Sequence, residues 1–131
     1  MTTLIGAESV ALMANITPEF ASSLGHRSIG ERAHSAAFLG ADAILISGPI
    51  TGAPTDTAQL REAKHAIPRT PVLANTGVTA DTVQEILAVA DGAVVGTTLK
   101  RDAITWNPVD PARVAAFMAA AAHARESKVG A

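Results

Sequence analysis

The chain has 131 residues, a formal net charge of −2 with its histidines neutral, 48% hydrophobic residues and 17% charged ones. That is the size and apolar content of one globular domain, and it carries no charge field that would draw nucleic acid or an anionic membrane. With Trp106 as the one tryptophan, no tyrosine, three phenylalanines and no cysteine, the sequence excludes an aromatic stacking platform, disulfides, thiolate nucleophiles and cysteine-held metals.

The opening MTTLIGAES has no basic stretch leading into a long apolar run, and it reads as the end of a helix turning into a strand. No window approaches the roughly 18 uninterrupted apolar residues of a membrane span, so the expectation is no transmembrane segment and a cytoplasmic location. The first predicted strand is VALMANI, Val10 to Ile16, followed by the loop TPEFASSLGHR. Ser28 with Glu31 three residues later fits a capping box, and Ala33, Ala36, Ala37 and Phe38 give the ensuing helix an apolar side that stops at Gly40.

A second strand is predicted over Ala43 to Gly48, after which PITGAPTD forbids regular structure. Asp56 or Thr55 then caps a helix from Thr57 to Ala66, ended by Pro68. The third strand is Val72 to Gly77. Thr79 caps the next helix, in which Val83, Ile86, Leu87 and Ala90 share one face. The fourth strand is Gly92 to Thr97. A polar loop follows, in which Trp106 and Asn107 are expected to anchor the path, and then a helix from Pro111 to Ala124 with Asp110 as cap. The tail ESKVGA reads as a frayed end.

Strands separated by helix-length segments can pair in parallel through crossover helices. GADAILISG and VADGAVVGT echo each other, so the organisation is repeated βα. If the strand order is sequential, right-handed crossovers put every helix on one face of the sheet. The other face, carrying some of Leu12, Ala14, Leu45, Leu73 and Val94, would then be bare. Each such side chain forfeits about 1.5–3 kcal/mol when left in water, against a net domain stability of about 5–15 kcal/mol. A sequential order therefore makes this chain half of something, completed by four further βα units or by a second copy. A flavodoxin-like sheet with reversed order is the alternative.

Ligands of α/β proteins gather beyond the carboxyl ends of parallel strands. That rule selects His26 and Arg27 after the first strand, Ser47, Gly48, Thr51 and Gly52 after the second, Asn75 through Gly77, Val78 and Thr79 after the third, and Gly96, Thr97, Thr98 and Lys100 after the fourth. Glycine lets backbone N–H groups approach a phosphate and threonine adds a hydroxyl, so the two glycine–threonine ends form a candidate anion cradle, to which the helix after Thr79 would add its first N–H groups. The competing reading is that both glycines only ease tight turns. His26 can act as acid or base near neutral pH, and Arg27 can pair with an anion. Asn75, a polar amide at the end of a buried strand, must find a partner in substrate or in the protein. His34, His65 and His123 fall on the outer helices, and Asp42 and Asp91 precede strands, on the side of a barrel that serves stability. No metal site is predicted, and no motif names a cofactor.

The segments ADAILISGPITGAPTD, PVLANTGVTADTVQEILAVADGAVVGTTLK and TWNPVDPARVAAFM together resemble the C-terminal half of the BtpA/SgcQ family, from about Leu4 to Met118. The resemblance implies a (β/α)8 TIM barrel of which residues 1–131 supply a partial domain, βα units five to eight. It also implies phosphate-binding loops at Ser47, Gly48, Thr51 and Gly52, at Gly77 to Thr79 and at Gly96 to Lys100. The family takes its name from a cyanobacterial member implicated in photosystem I biogenesis, and it brings no settled reaction. Where relatives often carry a lysine–histidine pair in the first loop, this chain has Pro18, Glu19 and Phe20, and Asn75 stands where many have glycine. The expected function is that of a phosphate-binding barrel enzyme acting on a small phosphorylated metabolite, a sugar phosphate or nucleotide, with a non-catalytic assembly factor or a barrel fragment without independent activity as the alternatives. The expected partners are that phosphorylated small molecule and either a second copy or a complementary N-terminal half-barrel.

Overall fold

The computed structural model describes residues 6–129; the expectation for the opening segment falls largely on residues 1–5, outside them. Four strands, β1 (Met13–Asn15), β2 (Ala43–Ile46), β3 (Val72–Ala74) and β4 (Gly92–Ala93), alternate with four helices, α1 (Ile29–Phe38), α2 (Thr57–Ala66), α3 (Val83–Val89) and α4 (Pro111–Val129). The sheet is parallel and its order is β1-β2-β3-β4. This sequential order leaves no reversal for a doubly wound sheet, and the βα pattern is that of part of a TIM-barrel-like fold.

Alternation along the strands assigns the two faces. Ile44, Ile46, Val72 and Ala74 are wholly buried and pack with Leu60, Ala63, Val83 and Phe117 of the helices. Their neighbours Leu45 and Leu73 are only half-buried and stand on the opposite face, with Met13 and Val94. Of the residues named for the bare face, Ala14 packs on the helix side, because the parity of β1 sends Met13 and Asn15 to the open face. Among the described residues no helix is long and apolar enough to cross a membrane.

The helix ends follow their sequence signals. Ser28 and Glu31 form the reciprocal capping box. Gly40, at φ +100°, closes a Schellman turn in which Ala41 N–H bonds the Ala36 carbonyl and Gly40 N–H that of Ala37. Asp56 caps α2 through Ala58 N–H, while Thr55 is buried and donates instead to the Ile46 and Thr76 carbonyls. The two echoed aspartates act alike. Asp42 accepts Leu12 N–H at 2.7 Å and Asp91 accepts Val72 N–H at 2.8 Å, each tying the start of the preceding strand to its own.

The strands are shorter than the apolar runs predict, and hydroxyl groups are the reason on β2. Past Ile46 the Ser47 N–H bonds Thr17 Oγ1 at 2.7 Å, and the Gly48 N–H bonds Thr76 Oγ1 at 2.6 Å. Side chains thus take over where the ladder would have continued. Two further expectations fail. Trp106 is 93% exposed and anchors nothing; it is Asn107 that ties the final loop, through Nδ2 to the Arg101 carbonyl. The tail is helical to Val129, with Lys128 Nζ donating to the Leu87 and Ala90 carbonyls at the end of α3.

Candidate functional site

The loops after β3 and β4 enclose a cleft of about 530 Å³ at the carboxyl end of the sheet. Of the residues singled out in the sequence, Thr51, Gly52, Asn75, Gly77, Val78, Thr79, Gly96, Thr97 and Thr98 line it. The two glycines at its walls differ. Gly77 sits at φ +66°, and an added Cβ would lie 2.4 Å from the Ala53 carbonyl, so its lack of a side chain is required by the β2–α2 loop crossing over it. Gly96 has nothing within 4 Å of where a Cβ would be. No packing inside the chain requires glycine there, and the space in front of it belongs to the cleft.

Among the described residues, no hydrogen bond engages the backbone N–H of Gly77, Val78, Gly96, Thr97 or Thr98. Thr97 and Thr98 open a single 3₁₀ turn, Thr97–Leu99, instead of ending a strand, and the first N–H groups of such a turn lack internal partners. At the start of α3 the Thr79 hydroxyl accepts the Thr82 N–H at 3.3 Å, the capping bond expected of it, one turn ahead of the regular helix. Thr82, not Thr79, precedes its first residue. Thr79 N–H bonds Thr82 Oγ1 at 2.9 Å, and the Thr79 carbonyl takes the N–H groups of Thr82 and Val83. Those donors are consumed inside the turn and are not offered to the cleft.

Asn75 joins the cleft to a polar layer on the open sheet face. Its Nδ2 donates to Ser47 Oγ at 2.9 Å, and Asn15 Nδ2 donates to the same oxygen at 2.9 Å. Asn15 is held in turn by Thr17 N–H on its Oδ1. Ser47 is buried, so one hydroxyl fixes two amides from the strands on either side.

The remaining candidates lie elsewhere. Ser47 and Gly48 border a second hollow of about 380 Å³ beside Arg32. His26 is exposed in the loop before α1 and lines neither space. Arg27 spends its guanidinium on α1, bonding the Glu31 carbonyl at 3.2 Å and the Ser35 hydroxyl. Lys100 is half-buried in an antiparallel bridge to Val109 and does not line the cleft. Among the described residues no group of three or more histidine, aspartate or glutamate side chains gathers as metal ligands would.

With this geometry in place, comparison with known proteins is decisive at the family level: the BtpA family profile matches residues 1–123. The chain belongs to the BtpA family. It is 46% identical over 122 residues to the sgc region protein SgcQ of Escherichia coli (strain K12), covering 92% of this chain and 46% of that protein. It is 32% identical over 123 residues to the photosystem I biogenesis protein BtpA of Synechocystis sp. (strain ATCC 27184 / PCC 6803 / Kazusa), covering 93% of this chain and 43% of that one. The chain thus spans less than half the length of these BtpA-family relatives. In fold it is similar to N-(5'-phosphoribosyl)anthranilate isomerase from Pyrococcus furiosus, with a TM-score of 0.59 and 20% identity over 92% of this chain and 55% of that one. A native KDPGal structure gives a TM-score of 0.63 at 18% identity over 97% of this chain and 53% of that one.

One residue of this BtpA-family cleft escaped the sequence reading. Arg113, in the first turn of α4, lines the cleft and donates from Nε to the Thr98 carbonyl at 2.7 Å. It is the one basic side chain lining the cleft. Its signal was present: a cation in a first turn opposes the helix dipole and calls for another reason to be there.

Proposed function

We propose that the chain is the C-terminal half of a (β/α)8 TIM barrel, that another chain completes the barrel, and that the cleft binds the phosphate of a small phosphorylated metabolite, a sugar phosphate or nucleotide. The observation that carries the reading is that Gly77, Val78, Gly96, Thr97 and Thr98, whose N–H groups have no hydrogen-bond partner among the described residues, line one open space with Arg113, beside the carboxylates Glu19 and Asp81. Backbone donors approach an anion closely where no Cβ intervenes, as at Gly96, and a guanidinium held by a carbonyl supplies directed charge. Support from fold likeness comes from the isomerase named for a phosphoribosyl compound.

Within this reading Asn75 is the candidate for contact with the reacting part of the ligand, since it reaches the cleft from the polar layer. His26 and Arg27 would take part only if the segment 17–27 folded over the cleft. Calorimetric titration of the assembled protein with a panel of phosphorylated metabolites tests the proposal. Saturable binding that Gly96→Asp abolishes is the expected result, because a carboxylate would then occupy the anion's space. Heats of dilution alone across the panel would reject it.

A second reading, a non-catalytic assembly factor, is favoured by the 32% identity to a photosystem I biogenesis protein. It expects the chain to restore assembly of a partner complex with no turnover of any small molecule. A variant such as Gly96→Asp separates the two, since it would leave an assembly role intact.

A further inference from the structure

The hollow of about 380 Å³ beside Arg32 is separate from the cleft, with no lining residue in common, and it lies between the loops that follow β1 and β2. Arg32 is the one cationic side chain lining it and Asp56 the one anionic. Arg32 is partly buried, and among the described residues no carboxylate pairs with it. Its Nη1 donates to the Ile16 carbonyl at 3.0 Å, a bond for which a lysine ammonium would serve as well. The other edge of the guanidinium is idle: Nε is buried without a partner, and Nη2 makes no hydrogen bond among the described residues. A buried donor left unmet costs free energy, and nothing in the packing of α1 explains that cost.

We infer that this hollow binds a small carboxylic acid that carries a hydroxyl or ammonium group next to its carboxylate. The Nε–Nη2 edge of a guanidinium is a planar fork that matches the two oxygens of a carboxylate. Nη2 makes the first contact, and a small rotation of the guanidinium brings the buried Nε onto the second oxygen. The inference stands apart from the phosphate reading of the cleft and from how the barrel is completed.

Charge selects a carboxylate over a phosphate. Asp56 accepts Ala58 N–H on Oδ1 at 2.8 Å, and among the described residues no cation pairs with it. One positive and one negative side chain therefore already balance within the hollow. A phosphate dianion would place two further negative charges beside Asp56, whereas a monocarboxylate adds one at Arg32 and turns its own donor toward Asp56. Gln59, half-buried in the first turn of α2 and without a side-chain hydrogen bond among the described residues, adds an amide to the lining, and Ser22 adds a hydroxyl. The volume of about 380 Å³ falls at the small end of ligand pockets, which begin near about 300 Å³.

Thermal melting of the assembled protein with glycolate, glycine, acetate or inorganic phosphate, each against sodium chloride of equal ionic strength, tests the site. Glycolate or glycine should raise the midpoint by roughly 3–6 °C at about ten times its dissociation constant, and acetate, which has no donor for Asp56, should do less. Arg32→Gln should abolish the rise. Because that change also removes the tether to Ile16, Gln59→Glu serves as a second variant: it keeps Arg32 in place, adds a like charge, and should weaken the binding about tenfold or more. Gly96→Asp, which alters only the cleft, should leave the rise intact. No rise with either donor-bearing acid, or a rise that survives both Arg32→Gln and Gln59→Glu, would overturn the inference. So would a rise lost in Gly96→Asp, which would place the acid in the cleft. A rise with inorganic phosphate that Arg32→Gln removes and Gly96→Asp does not would overturn the carboxylate as ligand.

Discussion

Gly77 lies so tightly against Ala53 that a single added carbon would sit 2.4 Å from the Ala53 carbonyl, while the same addition at Gly96 would meet nothing within 4 Å. Two glycines that look equivalent in the sequence therefore serve different ends. Gly77→Ala must displace the β2–α2 loop and hold alanine at positive φ, a loss of about 3 kcal/mol or more. Gly96→Ala should stay within about 1 kcal/mol of wild type and weaken phosphate binding instead. Denaturant titration of both variants, with ligand titration of the second, checks the contrast; equal stability losses would remove the distinction.

Arg113 should matter to binding more than to folding. Its Nε bond to the Thr98 carbonyl orients the guanidinium, and a charge-assisted bond to phosphate is worth about 1.5–3 kcal/mol. Arg113→Gln should lower affinity for a phosphorylated ligand about ten- to a hundredfold and make the remaining binding less sensitive to salt. Arg113→Lys should recover part of the loss, since it keeps the charge and gives up the fork. Affinity unchanged in the Gln variant would take Arg113 out of the site.

The Asp91–Lys64 pair predicts an acid dependence of stability. Partial burial pushes the Asp91 carboxyl up, but the Lys64 hydrogen bond, the Val72 N–H and the charges of Lys64 and Lys128 outweigh it and hold the group below its ordinary 3.8. A carboxyl depressed by folding stabilises fully above its unfolded value near about 3.9, and that contribution is lost as pH falls through the folded value. The side chains are 31% and 36% exposed, so solvent screening limits the ion pair to about 0.5–1 kcal/mol. Asp91→Asn should be less stable than wild type by about that much at neutral pH, with the gap closing below about pH 4. A gap that stays constant down to about pH 2 would show the carboxylate's charge to be idle.

The helix ends were the most legible part of the chain, because caps are local chemistry. Ser28 with Glu31, Gly40 and Asp56 each did what its side chain and position dictate. Strand lengths were less legible, because Thr17 and Thr76 intercept N–H groups that an apolar run alone would assign to the ladder. The sequential order was not readable at all, yet the echo of Asp42 and Asp91 was its trace: each pins the preceding strand beside its own.

Position beyond a strand end places Gly96 and Asn75 at the cleft, but it does not place Arg27 there. That guanidinium had a nearer partner four residues on, in the first turn of α1. Arg113 was missed for the opposite reason. It comes from the helix after the last loop, not from the loop, and only the folded chain brings it to Thr98.

Ser47 makes the sharpest test of whether the polar layer positions Asn75. Its hydroxyl oxygen accepts from Asn15 and Asn75, both at 2.9 Å, so Ser47→Ala strands two amides at once and should cost about 1–3 kcal/mol. Asn75→Ala removes one of those donors together with its need for the acceptor, and should cost less. If the two side chains act through one bond, the double variant will be more stable than the sum of the single losses implies, by about 0.5 kcal/mol or more in a denaturation cycle. Ligand affinity should fall in Ser47→Ala although Ser47 does not line the cleft, because Asn75 would no longer be held toward it. Additive stabilities together with wild-type affinity would mean that Asn75 finds its orientation without Ser47.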